Sequence, residues 1–431
     1  MDKYIGNKKS IVEDLEQFMV KKNISNGIFF DAFTGTTNVA QYFKQRGFDI
    51  ILCDTNSFSK VLGETYVVNN SFPTFKGILS KIEDKIFFDI AQLNEMIEKV
   101  IQKIVTDKIF LMNYLEVSDF TKNIIPLAKV IYYLNNLDNI INFEDENFFL
   151  EYYTIYGNKS MYKSLRGSVG KRNYFSEYNA KKLGIILEKI KFWRSKNFIT
   201  EMEVNILLTS VIEEVTLIAN VAGTFHDFNR NKLYPNALVK MQLKIPILNI
   251  TQNNGRYIAF KEDTNLLYKN NDYNKFISGK KKIELLYIDP PYNFRQYSDY
   301  YHLLNFIAEY PYTKNLKEYG NGLEYVRGQN MRNSFKSQYS YKETFENSLT
   351  ELISNTCCKN VIVSYYDENN HWTHGKEINY EGRKAIISSI KNSKGITQVD
   401  EEPYSVKRQN YQSRKGENKK IIDELFFYGR K

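Results

Sequence analysis

The sequence predicts an α/β protein, a largely parallel sheet with helices on its faces, interrupted by a mainly helical insertion. Three observations carry this. Near the start, two short apolar runs, GIFFDAF and DIILCD, flank the amphipathic segment NVAQYFKQRG. From about Ser57 to Asn249 apolar residues instead recur every three or four positions. Beyond that, short apolar runs return in RYIAFKED, IELLYID, NVIVSYYD and DELFFYG. Short apolar runs alternating with helical periods are the signature of parallel strands joined by helices. We therefore expect residues 1–65 and 251–431 to form two parts of one sheet domain, and 66–250 to form the insertion.

Each element has a local reason. Ile11, Val12, Leu15, Phe18 and Met19 share one helical face. The helix of NVAQYFKQRG closes on Gly47, a residue suited to the left-handed position after a helix end. In the insertion, Ile86, Ile90, Leu93, Ile97, Val100 and Ile104 predict a long amphipathic helix, and Leu183, Ile186, Leu187, Ile190 and Trp193 a second. Thr200 and Glu203 form a capping box for a third, which carries Leu207, Leu208, Val211 and Val215. A basic loop with glycines, SLRGSVGKRNYF, lies between.

Composition narrows the function classes. At 42% hydrophobic and 25% charged, the 431-residue chain is a globular protein. No apolar run reaches the roughly 18 residues of a membrane span, and MDKYIGNKKS lacks the apolar core of a secretory signal. Three cysteines (Cys53, Cys357, Cys358) make no disulfide framework, and a cytoplasmic setting is expected. A net charge of +9 with 33 Tyr and 29 Phe fits a nucleic-acid partner, since cations follow phosphates and rings stack on unpaired bases.

The predicted strands end on acids: Asp31, Asp54, Asp263 and Asp289. In a parallel sheet these gather at one edge, where ligands bind. Asp residues there also serve as helix N-caps, the plainer role. Gly35 allows a tight turn after Asp31. That turn matches neither the dinucleotide fingerprint nor the phosphate loop. An acid-rich edge suits a cationic, hydroxyl-bearing ligand better than a pyrophosphate, and a sulfonium cofactor with a ribose fits.

The run LLYIDPPYNFRQYSDYYH ends a strand on Asp289, then stiffens the backbone with Pro290 and Pro291 before Tyr292. An exocyclic nucleobase amine is a poor nucleophile because its lone pair is delocalised. Acceptors on both amine hydrogens favour its reactive form. Asp289 supplies one acceptor, the Pro290 carbonyl the other, and Tyr292 a stacking face. A base in a duplex reaches such a pocket only by flipping out. No proton needs abstracting before attack on an activated methyl, so a Ser–His–Asp or Cys–His set is not required.

These motifs resemble those of the N6-adenine DNA methyltransferases of bacterial restriction–modification systems, which use S-adenosylmethionine. DPPY at Asp289–Tyr292 matches the catalytic motif, FDAFTGTT the cofactor motif, YIGNKKSI the N-terminal cofactor motif, and EDTNLL the element whose acid meets the cofactor adenine. NYFSEYNAKKL, IANVAGTFHDF and NFRQYSDYYHLL resemble segments of one bacterial subgroup. The resemblance implies a Rossmann-like class I methyltransferase sheet in an alpha-like motif order, with DNA recognition in the insertion. It implies catalytic Asp289, Pro290, Pro291 and Tyr292. It places Tyr4, Gly6, Lys8, Asp31, Phe33, Gly35, Asp54, Asp263 and Asp289 at the cofactor, Asp54 on the ribose and Asp263 on the adenine amine. Expected partners are double-stranded DNA and possible cognate endonuclease action at the same site; no fused nuclease is expected.

Arg166, Lys171 and Arg172 in the glycine-containing loop, Arg295 after the catalytic motif, and Arg327 and Arg332 in EYVRGQNMRNSF are candidate DNA contacts. The basic stretch VKRQNYQSRKGENKK is a further phosphate-contact candidate. His371 and His374 are spaced H-x-x-H, but ENNHWTHG reads as a polar loop and no metal is expected. Cys357 and Cys358 read as small core residues at a helix end. The rivals are the same chemistry on cytosine N4, RNA adenine or protein glutamine, and an inactive DNA-binding module. Asp at 289 argues against the glutamine enzymes, which carry Asn there.

Overall fold

The computed structural model describes residues 6–107, 109–110, 114–137, 147–164, 167–278, 282–323, 326–330, 334–366, 370–373, 380–409 and 421–431. The chain divides into two compact units. One comprises Asp2–Gly63, Thr251–Ser298 and Phe335–Lys431; the other comprises Glu64–Ile250 and Asp299–Ser334. The insertion boundary near residue 250 is thus joined by a second excursion, just after the predicted catalytic motif.

The first unit is built on an eight-stranded sheet. Its strands are β1 (Ile28–Asp31), β2 (Asp49–Asp54), β3 (Tyr257–Lys261), β4 (Ile283–Ile288), β5 (Cys358–Tyr366), β6 (Gln398–Val399), β7 (Tyr404–Gln409) and β8 (Ile421–Arg430). The order is β3-β2-β1-β4-β5-β8-β6, with β7 also on β8. Strands β1 to β5 run parallel, and β8 runs antiparallel to β5, β6 and β7. This is the Rossmann-like, largely parallel sheet that the sequence predicts. From β1 the chain steps one way to β2 and β3, while β4 begins the other half. That makes β1/β4 the switch point, where open α/β sheets bind their ligands.

The strands read as continuous apolar runs because helices cover both faces. All four residues of β1 are buried, as are four of the six in β2. The helix Val12–Lys21 buries Val12, Leu15, Phe18 and Met19, the face its spacing predicts. The helix Asn38–Gln45 ends at Gly47 with φ +83°, where the Gly47 amide donates to Lys44 O (3.1 Å) and the Phe48 amide to Phe43 O (3.2 Å). Both bonds satisfy carbonyls that a helix end leaves open.

The second unit is mainly helical. The helix Glu201–Ile218 carries the full capping box: Glu203 N donates to Thr200 Oγ1 (3.2 Å), and Thr200 N to Glu203 Oε2 (2.8 Å). The helix Glu177–Ser195 buries Leu183, Ile186, Leu187, Ile190 and Trp193. The long helix expected from Ile86 starts at Ile90, because the Asp89 carboxylate accepts from the amides of Ala91 and Gln92. The basic loop is a short hairpin, Met161–Lys163 against Val169–Lys171. Among the described residues, no helix is long and apolar enough to cross a membrane.

Candidate active site

The sheet unit holds a cavity of about 230 Å³ at the carboxyl ends of its parallel strands. Its lining joins the turn Asp31–Thr36, the end of β2 from Asp54 to Asn56, Glu262–Leu266 after β3, and Asp289–Tyr292 after β4. Gly6 and Lys8 line it too, as do Gln296, Tyr297 and Tyr339. Asp31 lies in register with Tyr287 on β4, so the catalytic motif starts two residues beyond the level of Asp31 on the neighbouring strand. Sequence-distant motifs meet because parallel strands bring their ends to one edge.

The turn after β1 is tightly determined. The Gly35 amide donates to Asp54 Oδ2 (2.8 Å), and Gly35 takes φ +51°. Thr37 is also left-handed, at φ +67°, a costly state for a β-branched residue. Its conformation is held by its amide, which donates to Thr34 O (2.8 Å), and by its hydroxyl oxygen, which accepts from Gln41 Nε2 (2.8 Å). Asp54 Oδ1 accepts from the Asn56 amide and side chain, both at 2.9 Å.

The acids differ in environment. Asp31 is buried, and among the described residues its Oδ1 has no hydrogen-bond partner. Burial, then the nearby Asp289 and Asp54 charges, push its pKa up to about 8 from an ordinary 3.8, against the Phe33 amide. Asp54 is also raised by burial, opposed by its bonds to Asn56 and Gly35. Asp263 lies beyond β3 rather than on it and caps a turn through Asn265 N (3.0 Å), the plainer role, yet still lines the cavity. Burial raises its pKa as well. An unpartnered buried carboxylate facing a cavity calls for a donor or a cation.

Asp289 is paired. Lys8 Nζ stands 2.9 Å from its Oδ1 and 3.1 Å from Glu424 Oε1. Pro290 is buried. Tyr292 is 9% exposed, with its ring edge-on to Tyr365 (5.8 Å) and Tyr366 (6.1 Å). The Tyr292 carbonyl accepts from the His371 amide (3.0 Å).

Comparison with known proteins follows this geometry. The model of the D12 class N6 adenine-specific DNA methyltransferases matches residues 4–363. The chain belongs to this family. It is 28% identical over 432 residues to Modification methylase StsI of Streptococcus sanguinis, covering 99% of this chain and 51% of that protein. It is 27% identical over 430 residues to Type II methyltransferase M.FokI of Planomicrobium okeanokoites, covering 99% and 52%. A third relative, Modification methylase LlaI of Lactococcus lactis subsp. lactis, is 24% identical over 431 residues, with 99% and 54% covered. The chain spans about half the length of these curated relatives.

In this D12 class chain the cavity gathers Gly6, Lys8, Asp31, Phe33, Gly35, Asp54, Asp263, Asp289, Pro290, Pro291 and Tyr292. Tyr4 lies outside the described residues, as do Arg166, Arg332 and His374. Of the stretch VKRQNYQSRKGENKK, residues 410–420 also lie outside, and Tyr404–Gln409 is strand β7. Lys171, Arg295 and Arg327 are half-buried.

Arg172 corrects the expectation of a DNA contact. It is 1% exposed, and its guanidinium donates to Leu323 O (2.9 Å), with Tyr152 O at 3.4 Å and Lys159 O at 3.5 Å. Burial lowers its pKa. A second correction concerns ENNHWTHG. Its described residues 370–373 form a turn, as expected of a polar loop, but Asn370, His371 and Thr373 are buried, and His371 Nε2 donates to Tyr339 O (2.8 Å). Of the cysteine pair, Cys358 is buried at the start of β5 while Cys357 is exposed.

Tyr339 and Glu424 escaped the sequence reading, and His371 was weighed only as a metal ligand. Tyr339 lines the cavity, edge-on to Phe33 at 4.9 Å, with its hydroxyl on Asn265 Oδ1 (2.8 Å). No motif marks it. Glu424 sits in DELFFYG, whose alternation reads only as a strand. Among the described residues, no cluster of three or more His, Cys, Asp or Glu could hold a metal ion.

Proposed function

We propose that this chain is a site-specific DNA methyltransferase that transfers a methyl group from S-adenosylmethionine to the N6 amine of an adenine flipped from double-stranded DNA. The observation that carries the reading is the meeting of Asp31 and the Asp289–Tyr292 motif in one cavity across the β1/β4 switch point. Bound S-adenosylmethionine supplies an electrophilic methyl on a sulfonium centre. The residues present fit it: the open Oδ1 of Asp31 suits a cationic group, Asp54 the ribose, Asp263 the adenine amine, and Phe33 an apolar surface.

The protein's own work is orientation. Asp289 and the Pro290 carbonyl accept the two amine hydrogens and so localise the nitrogen lone pair. Tyr292, fixed by Tyr365 and Tyr366, gives the extrahelical base a ring to lie against. The 66–250 segment contributes to DNA recognition, and Arg166, Lys171, Arg295, Arg327 and Arg332 are the candidate contacts. The names of the relatives support a role as the modification component of a restriction–modification system; a cognate endonuclease at the same site and a cytoplasmic setting are part of the proposal.

Expression in a host lacking DNA methylation, followed by base-modification sequencing of its genome, tests the proposal. N6-methyladenine at one recurring sequence is expected. Methylation at cytosine N4, or none in DNA, overturns it.

A further inference from the structure

Glu424 lies on β8, opposite Tyr366 of β5, and is fully buried. It is not part of the cavity wall, yet it touches the group that is: Lys8 Nζ, 4% exposed, stands between Glu424 Oε1 (3.1 Å) and Asp289 Oδ1 (2.9 Å). The Ser364 hydroxyl donates to the same Glu424 oxygen at 2.6 Å. We infer that Glu424 is a positioning residue of the methyl-transfer site: by sharing Lys8 with Asp289, it keeps the Asp289 carboxylate a strong acceptor for the substrate amine. This rests on the function proposed above.

The argument is one of charge. A carboxylate paired alone with a buried lysine gives most of its acceptor strength to that lysine. A second carboxylate on the far side divides the lysine's charge and returns acceptor strength to the first. The opposite extreme is also harmful. Without Lys8, the carboxyls of Asp289 and Glu424, with Asp31 nearby, would share one buried region, and one would take up a proton. A protonated Asp289 is a poor acceptor. Lys8 and Glu424 thus set the charge of Asp289 between two damaging limits. A purely structural Glu424 would anchor Lys8 and affect stability, while leaving the chemical step of folded molecules alone.

The test uses the full chain, S-adenosylmethionine and DNA from a methylation-free host. Glu424→Gln keeps the shape of the side chain and should lower kcat about tenfold, with KM for DNA and cofactor within about twofold. Lys8→Met should lower kcat about a hundredfold, and adding Glu424→Gln to it should restore part of that loss, because one competing carboxylate is gone. An unchanged kcat in folded Glu424→Gln, or a double variant no faster than Lys8→Met, overturns the inference. Should Glu424→Gln not melt cooperatively, Glu424→Asp replaces it, since the shorter side chain draws the carboxylate away from Lys8 without removing a charge. A fall in kcat of about threefold is then expected, and no fall overturns the inference. A wild-type chain that methylates no DNA overturns the proposed function and the inference with it. A wild type that methylates while Glu424→Gln keeps its kcat overturns the inference alone.

Discussion

Both units bury charge, and they bury it differently. In the sheet unit, Asp31, Lys8 and Glu424 are almost wholly enclosed, and Asp31 presents a carboxylate oxygen with no partner to an open cavity. In the helical unit, Arg172 is equally enclosed but donates to three backbone carbonyls, and Gly328 leaves the room it needs: a Cβ there would stand 3.0 Å from Arg172 Cδ and Nε. Tyr153 ties the same point, its hydroxyl on Gly328 O at 2.8 Å. Burial alone therefore says little about function. A buried charge whose bonds close on backbone is scaffolding; one whose remaining valence faces a cavity is poised for a ligand.

The largest effect should come at Asp289. Asp289→Ala should lower methyl transfer by about a thousandfold or more while cofactor and duplex binding persist, as measured by single-turnover kinetics and calorimetry. Near-normal turnover by the folded variant would place the chemistry elsewhere.

On the scaffolding side, Arg172→Met leaves carbonyls without donors and should destabilise the protein by about 3 kcal/mol in denaturant titration. Activity per folded molecule and the salt dependence of DNA binding should stay as in the wild type. A stable variant with a shallower salt slope would instead make Arg172 a phosphate contact.

Asp31 sharpens the contrast through pH. Its folded pKa is raised, so between about pH 4 and about pH 8 the native state holds a proton that the unfolded chain has released. Its contribution to stability is full at the acid end of that window and is lost as pH rises through it. Asp31→Asn should flatten that part of the stability–pH curve and weaken S-adenosylmethionine binding about tenfold. A parallel pH curve for the variant would show that Asp31 ionises normally.

The smallest effects belong to the half-buried cations. Lys171→Ala and Arg327→Ala should each weaken DNA binding a few-fold and reduce the log–log salt slope by about 0.9 if each meets one phosphate. Loss of affinity without a change in slope would point to base reading or to folding instead.

Much of the site was legible because its signals are local. Asp31 and Gly35, or Asp289 through Tyr292, are a few residues apart, and strand propensity, turn chemistry and proline restriction act over that range. The capping box of Thr200 and Glu203 was legible for the same reason. Where reading failed, a local pattern had two tertiary outcomes. Polar ENNHWTHG reads only as a polar loop, but its His371 closes on Tyr339, 32 residues earlier, and its amide holds the Tyr292 carbonyl of the candidate catalytic motif. In basic SLRGSVGKR the spacing cannot tell Arg166, Lys171 and Arg172 apart as candidate DNA contacts, yet Arg172 turns inward.

By itself, then, the sequence determined the strand and helix order, the acids at the strand ends and the stiff acceptor motif after β4. Each follows from residues that are neighbours along the chain. Only the tertiary structure decided that Lys8 stands between Asp289 and Glu424, that Tyr339 meets Phe33 at the cavity wall, and that Arg172 is enclosed. Those facts depend on which strands pair and which side chains they carry into contact. A charged residue looks the same in a sequence whether it faces water, a carbonyl or a ligand; its surroundings, set by residues distant along the chain, decide what it does.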